Sequence, residues 1–163
     1  MIIEIRNNDT LIIDEFKFKC SIGKNGSKKS KYEGDGSTPK GIFCLGELFW
    51  RSDRNPKPET KLSCRKLKKN MRWCNDVKSN YYNKLIKFKS NFRSEKLYRN
   101  DYKYDYIITI NYNTKKIIKN IGSAIFLHLT KNYKGTAGCI AVRKKDFLII
   151  CKLLDKKNKI KIF

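Results

Sequence analysis

The chain of 163 residues contains one histidine, three prolines and no pair of cysteines in C-x-x-C spacing. Each shortage removes a class of function. A zinc site with a single imidazole would need mostly thiolates, and Cys20, Cys44, Cys64, Cys74, Cys139 and Cys151 are scattered, so no metal or other cofactor is expected. No stretch approaches the roughly 20 apolar residues of a membrane-spanning helix, so stable membrane insertion is not expected. The opening Met-Ile-Ile-Glu-Ile-Arg alternates as a strand does and lacks the basic head and apolar core of a signal peptide. Gly34, Gly36 and Gly41 punctuate a tight segment, but no Gly-Lys-Ser/Thr ending follows and the next residues read as a strand, which excludes a P-loop. No internal repeat is present.

Acidic residues are also scarce, 15 against 38 lysines and arginines, for a net charge of +23. That balance suits an anionic partner and makes binding sensitive to salt. The excess is spread along the whole chain among many Ile and Asn residues, a pattern equally expected from nucleotide bias. With no Arg-rich helix or aromatic RNA-binding strand, nucleic acid is not the expected partner.

What is present fits one globular domain spanning 1–163. Ile2–Arg6 and Thr10–Ile13 read as strands joined through Asn7-Asn-Asp, a hairpin signal. Phe16, Phe18, Cys20 and Ile22 alternate with polar residues, predicting a half-buried strand. Gly23 to Ser30 reads as a mobile surface loop, and Ile42 to Leu45 as a strand. From Arg51 to about Lys103 no period is sustained, and a connection this long within a small domain tends to be functional. Tyr104 to Tyr112 reads as a central strand, and Ile117-Ile118 as an edge. Phe147, Ile150, Cys151 and Leu154 fall at i, i+3, i+4 and i+7, predicting a helix from Lys144 to Leu154, before a closing strand from Lys159 to Phe163. Cys20, Cys44 and Cys151 lie in apolar stretches and read as core residues. Cys64 and Cys74 fall in a loop-like region and can pair with each other.

The chemistry concentrates in Ser123-Ala-Ile-Phe-Leu-His128, followed by Thr136-Ala-Gly-Cys-Ile-Ala141. Ala124 to Leu129 is apolar apart from His128, as a buried strand is, and Ile140 to Val142 reads as another. Gly135, in the turn between them, is free to take positive φ. If the strands pair, His128 and Cys139 stand side by side, the arrangement a thiol nucleophile and its base require. Gly138 has no side chain, so amides beside the cysteine can approach a developing oxyanion. A hydrogen-bonded core histidine next to an unrelated cysteine is the alternative.

These residues resemble the catalytic motif of YkuD-type L,D-transpeptidases, in which a strand-borne His precedes a Ser/Thr-x-Gly-Cys nucleophile. Glu33-Gly-Asp-Gly-Ser-Thr-Pro-Lys-Gly-Ile-Phe43 resembles a second segment of that family, in the same order along the chain. The resemblance implies a mainly β (α+β) fold: a mixed-sheet sandwich or barrel with one C-terminal helix and a loop insert over residues 51–103. It implies Cys139 as nucleophile, His128 as base, the Leu129 carbonyl as the group orienting the imidazole, and the amides of Ala137, Gly138 and Cys139 as the oxyanion hole.

The implied substrate is a peptidoglycan stem peptide, attacked at diaminopimelate with release of D-alanine and transfer to an acceptor amine. It further implies a cell-envelope or periplasmic location. A monomer is expected. The same acyl-enzyme resolved by water would make an L,D-carboxypeptidase, and a non-catalytic peptidoglycan-binding module is the rival reading. Trp73-Cys-Asn-Asp76 and Tyr82-Asn83 resemble an insert of one branch of the family, which implies a wall or lid with Trp73, Asp76 and Tyr82 at the substrate. For Trp73 and the tyrosines, anchoring the insert to its own small core remains open. Ala137 stands where many members carry a second His, and Ala141 where many carry Arg. Arg143, two residues further along the strand, is then the candidate for a substrate carboxylate.

Overall fold

The computed structural model describes residues 1–89 and 91–163; residue 90, within the expected insert, lies outside the described residues. In chain order the strands are β1 (Ile2–Arg6), β2 (Thr10–Ile13), β3 (Phe16–Lys19), β4 (Ser27–Lys28), β5 (Thr38–Pro39), β6 (Gly41–Trp50) and β7 (Cys64–Lys66). There follow β8 (Arg72–Cys74), β9 (Leu85–Ile86), β10 (Ser94–Lys96), β11 (Tyr106–Ile110), β12 (Phe126–Leu129), β13 (Ile140–Val142), the helix α1 (Lys144–Leu153) and β14 (Lys159–Ile162). The fold is mainly β with one helix among the described residues, as the resemblance implied.

The main sheet runs β13-β12-β11-β6-β14-β1-β2-β3, with β7 paired to β6. It is mixed: β1 with β14, β6 with β7, and β12 with β13 are parallel pairs. Its two ends meet. Just past β3, Ser21 exchanges two 2.8 Å backbone bonds with Ala141 on β13, which brings the sheet nearly to closure as a barrel. Closure removes the exposed edges that an open sheet must otherwise protect.

Alternation decides which side chains fill this barrel. Ile3, Ile5, Leu11, Ile13, Ile160 and Ile162 come from alternating positions of β1, β2 and β14 and are at most 2% exposed. Asn7 and Asn8 both adopt positive φ, which turns the chain within the three-residue loop 7–9 that joins paired Arg6 and Thr10. α1 and its C-cap contribute Phe147, Ile150, Cys151 and Leu154, all fully buried, each stabilising by roughly 1.5–3 kcal/mol if of leucine or phenylalanine size.

Four expectations change. Cys44 is exposed rather than core, because the period of two puts it with Ile42 on the outer face of β6. Phe16 is exposed although it shares the face of buried Phe18, because it stands at the outer end of β3 and only its Phe18 side is covered. Ile117-Ile118 forms no strand. The stretch from Gly23 to Ser30 is no free loop: β4 pairs with β5, the Gly23 amide donates to Thr38 Oγ1 at 2.8 Å, and the Lys24 amide donates to the Thr136 carbonyl at 2.8 Å.

The aperiodic stretch from Arg51 to Lys103 contains β7 and the small sheet β10-β8-β9. Its apolar residues Leu67, Met71 and Leu97 join Phe49, Tyr104, Ile107, Phe126 and Cys139 in a second core. The insert is therefore packed against β12, the strand that precedes Cys139. All six cysteines are free thiols; Cys64 lies on β7 and Cys74 is buried on β8.

Candidate active site

β12 and β13 run parallel in the register Leu127 to Ile140 and His128 to Ala141. Paired residues of a parallel ladder point to one face, and residues two apart along a strand share it. Cys139, immediately before β13, therefore lies on the face that carries Phe126, His128 and Ala141. His128 and Cys139 line one cavity of about 610 Å³ and are 7% and 8% exposed.

The imidazole is held in one tautomer. His128 Nδ1 lies 3.0 Å from the Leu129 carbonyl oxygen, which can only accept, so Nδ1 carries the proton and Nε2 is left as a base. Burial pushes this imidazole down to about 4, and the Leu129 bond only partly offsets it. Burial, reinforced by the Glu95 charge, pushes the Cys139 thiol up to about 12. The resting pair is thus a neutral thiol beside a neutral imidazole, with Cys139 Sγ donating to the Ala124 carbonyl at 3.2 Å.

The loop around Cys139 is fixed from beneath. Gly138 has φ +142, and a Cβ there would stand 2.8 Å from the Ser37 carbonyl oxygen, so no other residue fits without displacement. Thr38 Oγ1 donates to the Gly138 carbonyl at 2.8 Å. Thr136 Oγ1 accepts the Gly138 amide at 3.0 Å and donates to the Cys139 carbonyl at 2.6 Å. Of the three amides expected in an oxyanion hole, that of Gly138 is therefore engaged. In the preceding turn, Tyr133 rather than Gly135 takes positive φ. Gly135 is needed for another reason: a Cβ would meet the Lys24 backbone at 2.8 Å.

The remaining candidates do not line the cavity. Trp73 packs edge-on against Phe126, centroids 5.2 Å apart, and its indole N–H donates to Asn83 Oδ1 at 2.9 Å. Tyr82, 1% exposed, donates to Glu33 Oε2 at 2.5 Å and accepts the Gly122 amide at 3.1 Å. Both side chains anchor the insert. Asp76 accepts the amides of Lys78 and Arg93, which hold its carboxyl below the usual carboxylate range at the surface. Arg143 ends the strand, caps α1 with an extended backbone and lies over the Tyr133 ring at 5.3 Å, in a separate groove with Lys17 and Lys19.

Three residues of the site escaped the sequence. Tyr104 meets His128 edge to face with centroids 5.3 Å apart, packs in one cluster with Cys139 at the cavity, and donates to Glu95 Oε1. Asn83, 3% exposed, satisfies every polar atom: Oδ1 accepts from Trp73 and from the Ala124 amide, and Nδ2 donates to the carbonyls of Tyr112 and Asn113. Tyr104 read only as the first residue of a strand and Asn83 as part of an insert. Glu95 is one acid in a basic stretch, and the sequence carried no signal that singled it out.

The family model YkuD, described as the L,D-transpeptidase catalytic domain, matches residues 2–162. A search of curated proteins finds no match. Among solved structures the fold is similar to that of Bd1075 from Bdellovibrio bacteriovorus, with a TM-score of 0.51 and 17% identity over 99% of this chain. The aligned region is 47% of that protein's chain, so this one spans about half its length.

Proposed function

The chain belongs to the YkuD family of L,D-transpeptidase catalytic domains, a family that acts on peptidoglycan, and from that premise we propose that it is a cysteine acyltransferase working on stem peptides at the cell envelope. The observation that carries the reading is the shared face of His128 and Cys139 at one cavity, with Nδ1 of the imidazole tied to the Leu129 carbonyl.

In the first half-reaction the thiol proton passes to His128 Nε2 as Sγ bonds to the carbonyl carbon of the amide that follows diaminopimelate. Charge collects on the carbonyl oxygen, where the amides of Ala137 and Cys139 would receive it. The C–N bond then breaks, and the imidazolium returns the proton to the departing D-alanine amine. In the second half-reaction an acceptor amine attacks the thioester, His128 takes a proton from it, and that proton restores the thiol as the new amide forms. The low basicity of His128 and the high pKa of Cys139 favour proton transfer in step with attack rather than a standing thiolate–imidazolium pair.

The test is acylation by a carbapenem followed by intact-mass measurement. One adduct on the wild type and none on folded Cys139→Ala are expected. No adduct on the wild type, or an equal one on the variant, overturns the assignment. Mass spectrometry of tetrapeptide products with and without an acceptor amine separates transpeptidation from carboxypeptidation.

A further inference from the structure

The barrel's seam is joined by the antiparallel bridge between Ser21 and Ala141. Carrying that register two residues outward sets Lys19 opposite Arg143, with Lys17 next along β3 and Lys145 next along α1. No ladder forms there among the described residues. A groove of about 500 Å³ opens instead, lined by these four cations over buried Phe18. None of the four makes an ion pair among the described residues, and Asp146 is the one acid in the groove.

Tyr133 gathers two of the cations. Lys19 Nζ lies 5.0 Å and the Arg143 guanidinium 5.3 Å from its ring centroid. The tyrosine itself is held at φ +56, unusual for a bulky side chain, and its amide donates to Thr130 Oγ1 at 3.0 Å. Like charges drawn to one ring repel each other. An anion placed between them replaces that repulsion with charge-assisted hydrogen bonds.

The groove also adjoins the catalytic cavity. Asn132, in the turn between β12 and β13, lines both. At a rise of about 3.3 Å per residue, Arg143 stands roughly 13 Å along the chain from Cys139, the span of an extended tetrapeptide.

We propose that this groove is an anion subsite of the active site, in which Lys19 and Arg143, flanked by Lys17 and Lys145, bind a carboxylate of the peptide that reacts at Cys139. The identity of that peptide rests on the stem-peptide reading; the affinity of the groove for a carboxylate does not. Donor and acceptor stems carry the same chemistry. The four cations bind and orient, and take no part in the acyl transfer.

Calorimetry on Cys139→Ala compares a stem tetrapeptide with the same peptide amidated at its carboxylates, at low and high salt. The free acid should bind roughly tenfold more tightly at low salt. That difference should shrink as salt rises and vanish when Lys19→Gln and Arg143→Gln are added. Equal affinities for the two peptides, or a preference that survives both substitutions, overturn the subsite. Lys115→Gln with Lys116→Gln removes the same charge from exposed positions that line neither cavity. An equal loss in that control means diffuse attraction to a basic protein and also refutes the subsite.

Transpeptidation kinetics separate the two sources. In Lys19→Gln/Arg143→Gln a KM raised for the tetrapeptide alone puts the donor's carboxylate in the groove, and one raised for the acceptor amine alone puts the acceptor's there. Unchanged KM values for both rule it out. If neither peptide binds Cys139→Ala, the subsite fails, and carbapenem acylation of the wild type then decides separately whether the assignment of Cys139 falls with it.

Discussion

Asn83 Oδ1 accepts the backbone N–H of Ala124 at 3.1 Å, and through that bond the insert holds the residue whose carbonyl receives the Cys139 thiol at 3.2 Å. Ala124 has φ +54, a conformation that costs a non-glycine residue about 1 kcal/mol or more and persists only where neighbours impose it. The insert is thus part of what shapes the surroundings of Cys139.

Asn83→Ala leaves the Trp73 indole, the Ala124 amide and two carbonyls without their partner. We expect a loss of roughly 2–4 kcal/mol in thermal or denaturant unfolding, since each buried unsatisfied group costs ~1–3 kcal/mol and some will find water. Carbapenem acylation of Cys139 should slow as well. An unfolding midpoint equal to wild type rules out the clamp.

Gly138→Ala introduces a Cβ at 2.8 Å from the Ser37 carbonyl oxygen and a side chain at φ +142. A destabilisation of about 1–3 kcal/mol is expected from the backbone alone. The acylation rate should fall at least tenfold, because the peptide on either side of Gly138 belongs to the nucleophile's turn. Retained acylation at the wild-type rate contradicts the fixed turn.

The pH dependence of acylation should place its acidic limb near 4, not near 6.5. His128 serves as base only when neutral, and burial lowers its pKa to about 4, so the competent form persists down to that pH and is lost below it. His128→Gln removes that limb and lowers the rate by roughly 10²–10⁴. A wild-type limb at 6 or above means that the imidazole is solvated in the working enzyme.

Asp35 supplies a pH-dependent share of stability. Its carboxylate meets Lys31 Nζ at 2.6 Å and the Ser37 amide at 2.9 Å, and although burial opposes the ionised form, these donors bring its pKa down to about 2 from 3.8. A lowered folded-state pKa means that the contribution is complete above about pH 4 and disappears as pH falls toward 2. Linkage puts it at roughly 2–3 kcal/mol. Asp35→Asn should be less stable at pH 7 and should lack that segment of the pH–stability curve; an unchanged slope between pH 4 and 2 refutes the assignment.

Much of this was legible in the sequence because it rests on short-range rules. Period two located β1, β2, β3 and β14, the i, i+3, i+4, i+7 spacing located α1 to within a residue, and Asn7-Asn8 marked the first hairpin. His128 and Cys139 were the only such pair the chain offers, and their strands were apparent from β-branched and aromatic runs. The insert was opaque for a reason: its strands are two or three residues long, too short to show a period, and they are held by contacts with β11 and β12 that lie far away in sequence. Trp73 and Asp76 were drawn toward substrate by their residue type, whereas packing turned one into an anchor and left the other binding backbone at the surface.

The sequence by itself determined the order of elements and the barrel's alternating interior through periodicity, and it offered Cys139 and His128 as the candidate pair through the motif around the cysteine and there being one histidine. Only the tertiary structure decided which face the pair shares, which tautomer the histidine takes, and that Glu95, Tyr104 and Asn83 reach the sulfur's surroundings. Those relations depend on strand register and on contacts that span tens of residues, and no local pattern of residue types encodes them.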